Sequence, residues 1–218
     1  VWAALIERLA NAGAKAIVLD LVFATEAEGD AELRRALDQF KDRVVIGSNF
    51  SPVETERGTF AQLTKPHDAL IPEQPGSPAA LDARVGFVNI LPDDDGVLRH
   101  AAFRRTNRQL DDAITAPADA VFESLASRAL AKFGAAGRIP AGTELERIRF
   151  TAAPGLSFRM HPVGDVLTPK IWKLNYADGE FFRDKLVLIG PTANIFQDKH
   201  LTPFQAQMPG PEIHLNII

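Results

Sequence analysis

Asp198, His200, Glu212 and His214 crowd the end of the chain and are the residues best suited by type to do chemistry. Neutral imidazoles with carboxylates are the donor set of zinc and other divalent ions. In a strand, Glu212 and His214 would point to one face. However, Met208-Pro209-Gly210 followed by Glu212 reads as a helix start with an acid in its first turn. Residues two apart on a helix lie about 200° apart around its axis, so Glu212 and His214 do not chelate together there. Glu212 and Asn216 share a face instead. Three uses stay open for this cluster, which also holds Thr202: a metal site, hydrogen bonds that tie a polar loop to the helix end, or contact with a ligand or signalling partner.

Asp20 ends a buried apolar run, where doubly wound enzymes place nucleophiles and metal ligands. Phosphatases of the haloacid-dehalogenase type need a second Asp two residues on, and that position is Val22. The other reading is a carboxylate that caps a turn or pairs with a cation. Pro92-Asp93-Asp94-Asp95-Gly96 resembles part of a calcium loop, but the required Glu is missing: Ala102 and Phe103 lie in that region. It reads as an acidic hairpin tip. Leu188 to Ala193 is a strand followed by a small-residue turn, yet neither GxGxxG nor the Walker pattern is present and Pro191 removes an N–H donor. No GxSxG elbow occurs. No catalytic residue, metal or cofactor is assigned. Asp20, Asp198, His200, Thr202, Glu212 and His214 are the candidates for ligand binding or signalling.

The elements that position these residues follow from hydrophobic periodicity. Trp2, Leu5, Ile6, Leu9 and Ala12 recur at helical spacing, with Gly13 as the stop. Ala16 to Phe23 is nearly continuous and apolar, as in a strand buried on both faces. Asp30 reads as an N-cap for a second helix carrying Leu33, Ala36, Leu37 and Phe40, and Val44 to Gly47 is a short buried strand. Helix, strand, helix, strand predicts a parallel pair with a right-handed crossover. Ser51 to Asp82, with five prolines, reads as a long irregular surface excursion. Val85 to Ile90 and Val97 to Arg104 predict a hairpin. A helix runs from Asp119 through Phe122, Leu125 and Ala129 to a stop near Gly134. Ile148 to Phe150, Trp172 to Tyr176 and Leu186 to Ile189 are further strands. The expected fold is α/β: a single layered domain over 1–218 with a mixed, largely parallel sheet flanked by helices, a β-hairpin and a Pro-rich excursion.

Bulk properties bound the function. The chain has 218 residues, 46% hydrophobic and 24% charged, an ordinary globular balance. It has no cysteine, which excludes disulfides and thiolate metal sites. Net charge is −4, and Lys and Arg are scattered among acids, which argues against nucleic acid as a partner. No apolar run reaches the roughly 18 residues that span a bilayer. Val1 and Ile218 both fall inside helical patterns, so the chain is expected to be a fragment trimmed at both ends, with membrane segments removed.

Several segments, in order, resemble a known family: Ala16 to Phe23, Gly86-Phe87-Val88-Asn89, Pro92-Asp93 with Asp95-Gly96 and Arg99, Leu186 to Gly190, Thr192-Ala193, Asp198 with Thr202-Pro203, and Met208 to His214. The pattern is similar to the second type of CHASE domain, the cyclase- and histidine-kinase-associated sensory extracellular module, over nearly the whole chain. Two stretches depart from it: Pro66 to Pro78, and Thr168 to Glu180 with its expected Trp172-to-Tyr176 strand. The resemblance implies an extracytoplasmic sensor, periplasmic or extracellular, membrane-anchored in the full-length protein and without catalysis of its own. It implies a cytoplasmic adenylate or guanylate cyclase, histidine kinase or Ser/Thr kinase as output. An unidentified small-molecule or environmental ligand is the expected partner, and a homodimer is an open arrangement. Two other readings stand beside it: an α/β hydrolase or phosphatase using Asp20, Asp198 and His200, and a ligand-free dimerisation module.

Overall fold

The computed structural model describes residues 1–55, 58–73, 78–110, 116–192 and 198–218, with backbone alone at 54, 55 and 58–60. Ala193 of the Thr192-Ala193 motif and Pro75 of the Pro-rich stretch lie outside the described residues. The elements in chain order are α1 (Trp2–Asn11), β1 (Ala16–Leu19), α2 (Asp30–Gln39), β2 (Val44–Thr55), β3 (Gly58–Thr64), β4 (Val85–Phe87), β5 (His100–Ala102), β6 (Arg104–Thr106), β7 (Val121–Glu123), α3 (Leu125–Phe133), β8 (Leu145–Arg147), α4 (Val163–Leu167), α5 (Pro169–Tyr176), β9 (Leu186–Ile189), β10 (Lys199–Leu201), β11 (Gln207–Pro209) and α6 (Gly210–Ile217).

A parallel sheet carries the molecule. β1 sits between β2 and β9, parallel to both, and β4 pairs in parallel with β2. Side chains alternate across β1 as the strand pleat requires. Ile17 and Leu19, with Val44 and Ile46 of β2, pack on Leu5, Ile6 and Leu9 of α1 and on Leu33 and Leu37 of α2. Val18 and Val45 pack on Leu125 and Ala129 of α3 on the opposite face. Burial on both faces is why these strands are apolar throughout. The expected α/β class, mixed sheet and parallel β1–β2 pair are all present.

Other expectations are corrected. Trp172 to Tyr176 belongs to helix α5, not a strand: Pro169 occupies the first helical turn, and the Trp172 and Tyr176 rings meet at 6.0 Å as residues four apart on a helix do. The alternation of Trp172, Leu174 and Tyr176 that suggests a strand belongs to a partly exposed helix, with Leu174 70% exposed. The hairpin expected between 85 and 104 does not form. Val85, Gly86 and Phe87 are all buried in the central sheet, β5 pairs with β8 and β6 pairs with β7. The excursion after Ser51 is not irregular throughout, since β2 continues to Thr55 and pairs antiparallel with β3. Pro52 is tolerated there because this half of β2 leaves one edge unpaired. The helix expected from Asp119 starts at Leu125 behind β7, with the Ser124 hydroxyl accepting from Ser127 N–H and Gly134 as its left-handed C-cap. The strand expected at 148–150 lies at Leu145–Arg147. Asp30 is the first residue of α2, behind a left-handed Gly29, and its carboxylate accepts from Ala27 N–H.

Candidate functional site

Asp20 follows the last residue of β1, at the carboxyl end of the parallel strands. Its N–H donates to the Ile189 carbonyl at 2.8 Å, continuing the β1–β9 ladder, while the side chain emerges where the sheet ends. Residues past Gly190 return through the antiparallel pair β10–β11, with His200 opposite Met208, and α6 starts directly above the strand ends. The stretch around His200 and Thr202, expected as a polar loop, is therefore largely a hairpin.

Two glycines let these parts meet. A Cβ at Gly190 would lie 2.6 Å from Pro211 Cγ and 3.1 Å from Asp20 Cβ, and one at Gly210 would overlap the Asp198 carboxylate. A glycine at each position lets α6 and its hairpin seat against the strand ends. Gly210 N–H donates to the Asp198 carbonyl at 3.1 Å, and the Asp198 carboxylate lies at the positive end of α6.

The result is two carboxyl–imidazole pairs side by side. The inner pair is buried: Asp20 Oδ1 lies 3.6 Å from His214 Nε2, with side chains 8% and 5% exposed. That separation is longer than a hydrogen bond. Among the described residues, Asp20 Oδ2 is buried without a hydrogen-bond partner and His214 Nδ1 has none of ordinary geometry, although the Val88 backbone carbonyl weakly favours a proton on the ring. The outer pair is Asp198 Oδ1 and His200 Nε2 at 3.2 Å, side chains 33% and 24% exposed.

Electrostatics separates the pairs further. Burial pushes the Asp20 carboxyl up to about 7, with the Asp198 charge adding to the rise and His200 opposing it. Burial holds the His214 imidazole down at about 4; Asp198 opposes that shift and His200 reinforces it. Both groups are thus driven towards their neutral forms, and the inner pair is not a standing ion pair. Between about pH 4 and pH 7 it holds one proton, whichever partner carries it. Such a pair suits proton exchange. It is a poor nucleophile, because the carboxylate is occluded and half protonated at neutral pH.

Glu212 and Thr202 are engaged elsewhere. Glu212 Oε1 accepts from Gly155 N–H at 2.8 Å. Asn216, one turn on, accepts from Thr151 N–H at 2.9 Å and donates to the Glu212 carbonyl at 2.9 Å. The shared face of Glu212 and Asn216 therefore binds the 151–155 segment, while His214 points to Asp20. The Thr202 hydroxyl donates to the Ala206 carbonyl at 2.9 Å inside the β10–β11 turn. Among the described residues, no group of three or more His, Asp or Glu side chains is placed to hold a metal ion. The structure thus joins Asp20 to three of the C-terminal candidates, Asp198, His200 and His214. The link from Asp20 spans most of the chain and has no signal in local spacing beyond the glycines at 190 and 210.

Sequence reasoning missed one further feature. A cavity of about 550 Å³ runs along the free edge of β9, walled by α1, the 157–166 segment and α6. Its charged groups, Arg159, Lys185 and Glu212, come from separate segments and form no motif.

No helix among the described residues is long and apolar enough to cross a membrane. Neither curated proteins nor solved structures provide a significant match to the chain. The family model described as the CHASE2 domain matches residues 1–218, the whole chain. The match has the same extent as the layered fold; of the quoted motifs, those at 16–23, 86–89, 186–190 and 208–214 fall on or beside β1, β4, β9 and the start of α6, and 92–99 and 202–203 lie in connections. The chain therefore belongs to the CHASE2 domain family, the extracellular sensory domains of signalling receptors.

Proposed function

We propose that this domain is the extracytoplasmic input module of a membrane-anchored bacterial receptor whose cytoplasmic output is a nucleotide cyclase or a protein kinase, and that α6 is the element that reports the stimulus. One observation supports α6 in particular: it is seated on the sheet over a buried, incompletely bonded pair, Asp20 with His214. Buried polar groups without partners are uncommon and costly. A helix seated over such a pair sits close in energy to a displaced position in which those groups find other partners. A stimulus that favours one position by a few kcal/mol then changes its population substantially. Small helix shifts of this kind are an established means of switching.

The hydrolase reading is weaker. It requires Asp20 as an exposed, ionised nucleophile, whereas the residue is 9% exposed and its carboxyl is pushed up to about 7. The receptor reading is tested in the intact protein with the Asp20→Asn and His214→Gln variants. Each should shift basal cyclase or kinase output at least about threefold at unchanged membrane abundance, while Glu32→Gln on the exposed face of α2 leaves it unchanged. Output unaffected by either variant would refute the role of α6. Hydrolytic turnover by the domain that vanishes in Asp20→Ala would restore the enzyme reading.

A further inference from the structure

The cavity beside β9 has the size and chemistry of a small-molecule site. At about 550 Å³ it falls within the range of such sites, and its walls are mainly apolar. It exists because, among the described residues, β9 has β1 on one side and no strand on the other, so Leu186 to Gly190 present a free edge. Outward-pointing N–H and C=O groups of such an edge supply hydrogen-bonding capacity along an apolar slot. Leu5 and Leu9 of α1 form one wall, and Leu215 of α6 with its C-cap Ile218 another.

Charge selects the ligand. Arg159 and Lys185 line the cavity in a chain whose net charge is −4. Arg159 makes no hydrogen bond or ion pair among the described residues. Lys185 sits 4.7 Å from the Phe181 ring centre and donates to the Phe181 carbonyl, leaving donors free. The one acid in the lining, Glu212, already accepts from Gly155 N–H. His161, also in the lining, meets the Tyr176 hydroxyl at 3.2 Å; burial and then the Arg159 charge lower its pKa, so it adds no standing positive charge at neutral pH.

We infer that this cavity binds a small amphipathic organic anion, its apolar body along β9 between α1 and α6 and its head group on Arg159 and Lys185. This rests on reading the domain as an input module. It adds a route: the wall formed by Leu215 and Ile218 belongs to the helix whose His214 contacts Asp20, so an occupant would bear directly on the proposed moving element.

The test uses the 218-residue chain with three ten-carbon probes below their micellar concentrations: decanoate, decanol and decylammonium. Calorimetric titration should show one saturable decanoate site and a raised melting temperature. Decanol should bind at least about tenfold more weakly, and decylammonium not at all. Arg159→Ala should weaken decanoate at least about tenfold and leave decanol unchanged, and Leu215→Trp should abolish binding of both. Equal binding of the three probes, no decanoate binding, or decanoate affinity unchanged by Arg159→Ala would overturn the inference; the last stands even if Leu215→Trp fails to fold. Decanoate binding that falls as protein concentration rises, with a matching dimer in sedimentation, would assign the β9 edge to a second copy instead. These results do not involve receptor output, so failure here and failure of the α6 reading are distinguishable.

Discussion

Asp20 and His214 are individually expensive and jointly silent. In the unfolded chain an ordinary Asp and His also hold one proton between them from about pH 3.8 to pH 6.5, the same count as in the folded pair. The pair therefore adds little pH dependence to stability across that window. Removing one partner exposes the other. In Asp20→Asn, His214 remains with its pKa held below 6.5, so stability is full above that pH and declines as pH falls towards 4, by about 1.4 kcal/mol per unit. In His214→Gln, Asp20 remains with its pKa raised above 3.8, so stability is highest at low pH and declines as pH rises towards 7. Urea midpoints from pH 4 to 7.5 check this: opposite slopes for the two variants and a nearly flat parent are expected. Parallel slopes would show that the two groups do not share an environment.

At the scale of elements, α6 uses nearly every face. Ile213 packs with Leu98, Ile148 and Met208, Glu212 and Asn216 hold 151–155, His214 meets Asp20, and Leu215 and Ile218 face the cavity. The Pro-Gly start and the opposed directions of Glu212 and His214 were legible because they depend only on helix geometry. Their partners were not, because Gly155, Thr151 and Asp20 are distant in sequence. The same divide runs through the fold. Continuous apolar runs revealed β1, the start of β2 and β9, while Val85 to Arg104 misled because its strands pair with β2, β7 and β8. Trp172 to Tyr176 misled because a short helix with apolar residues at alternate positions, Trp172, Leu174 and Tyr176, carries the period of a strand. Glu212→Ala should remove the hydrogen bond from the exposed Gly155 N–H, which water then takes up, and cost about 0.5–1.5 kcal/mol. Proteolysis or amide exchange should show 151–155 loosening first, while α1 and β1 stay protected; unchanged exchange there would mean the contact holds nothing in place.

The whole molecule is a sheet with α1 and α2 on one face and α3 on the other, and α6 packed against β9 and α3 at one end. The sheet forms the larger and more rigid core, whereas the α6 end depends on a smaller cluster, polar ties and the Asp20–His214 pair. Local stability follows buried contacts, so the two parts should open with different free energies. Amide hydrogen exchange at pH 7 on the parent chain and on Asp20→Ala measures this most directly. Exchange over 213–217 should accelerate about tenfold or more in the variant while 16–19 and 44–46 remain as protected as in the parent. Unchanged exchange over 213–217, or uniform acceleration across both segments, would contradict a separately movable α6 seated on this pair.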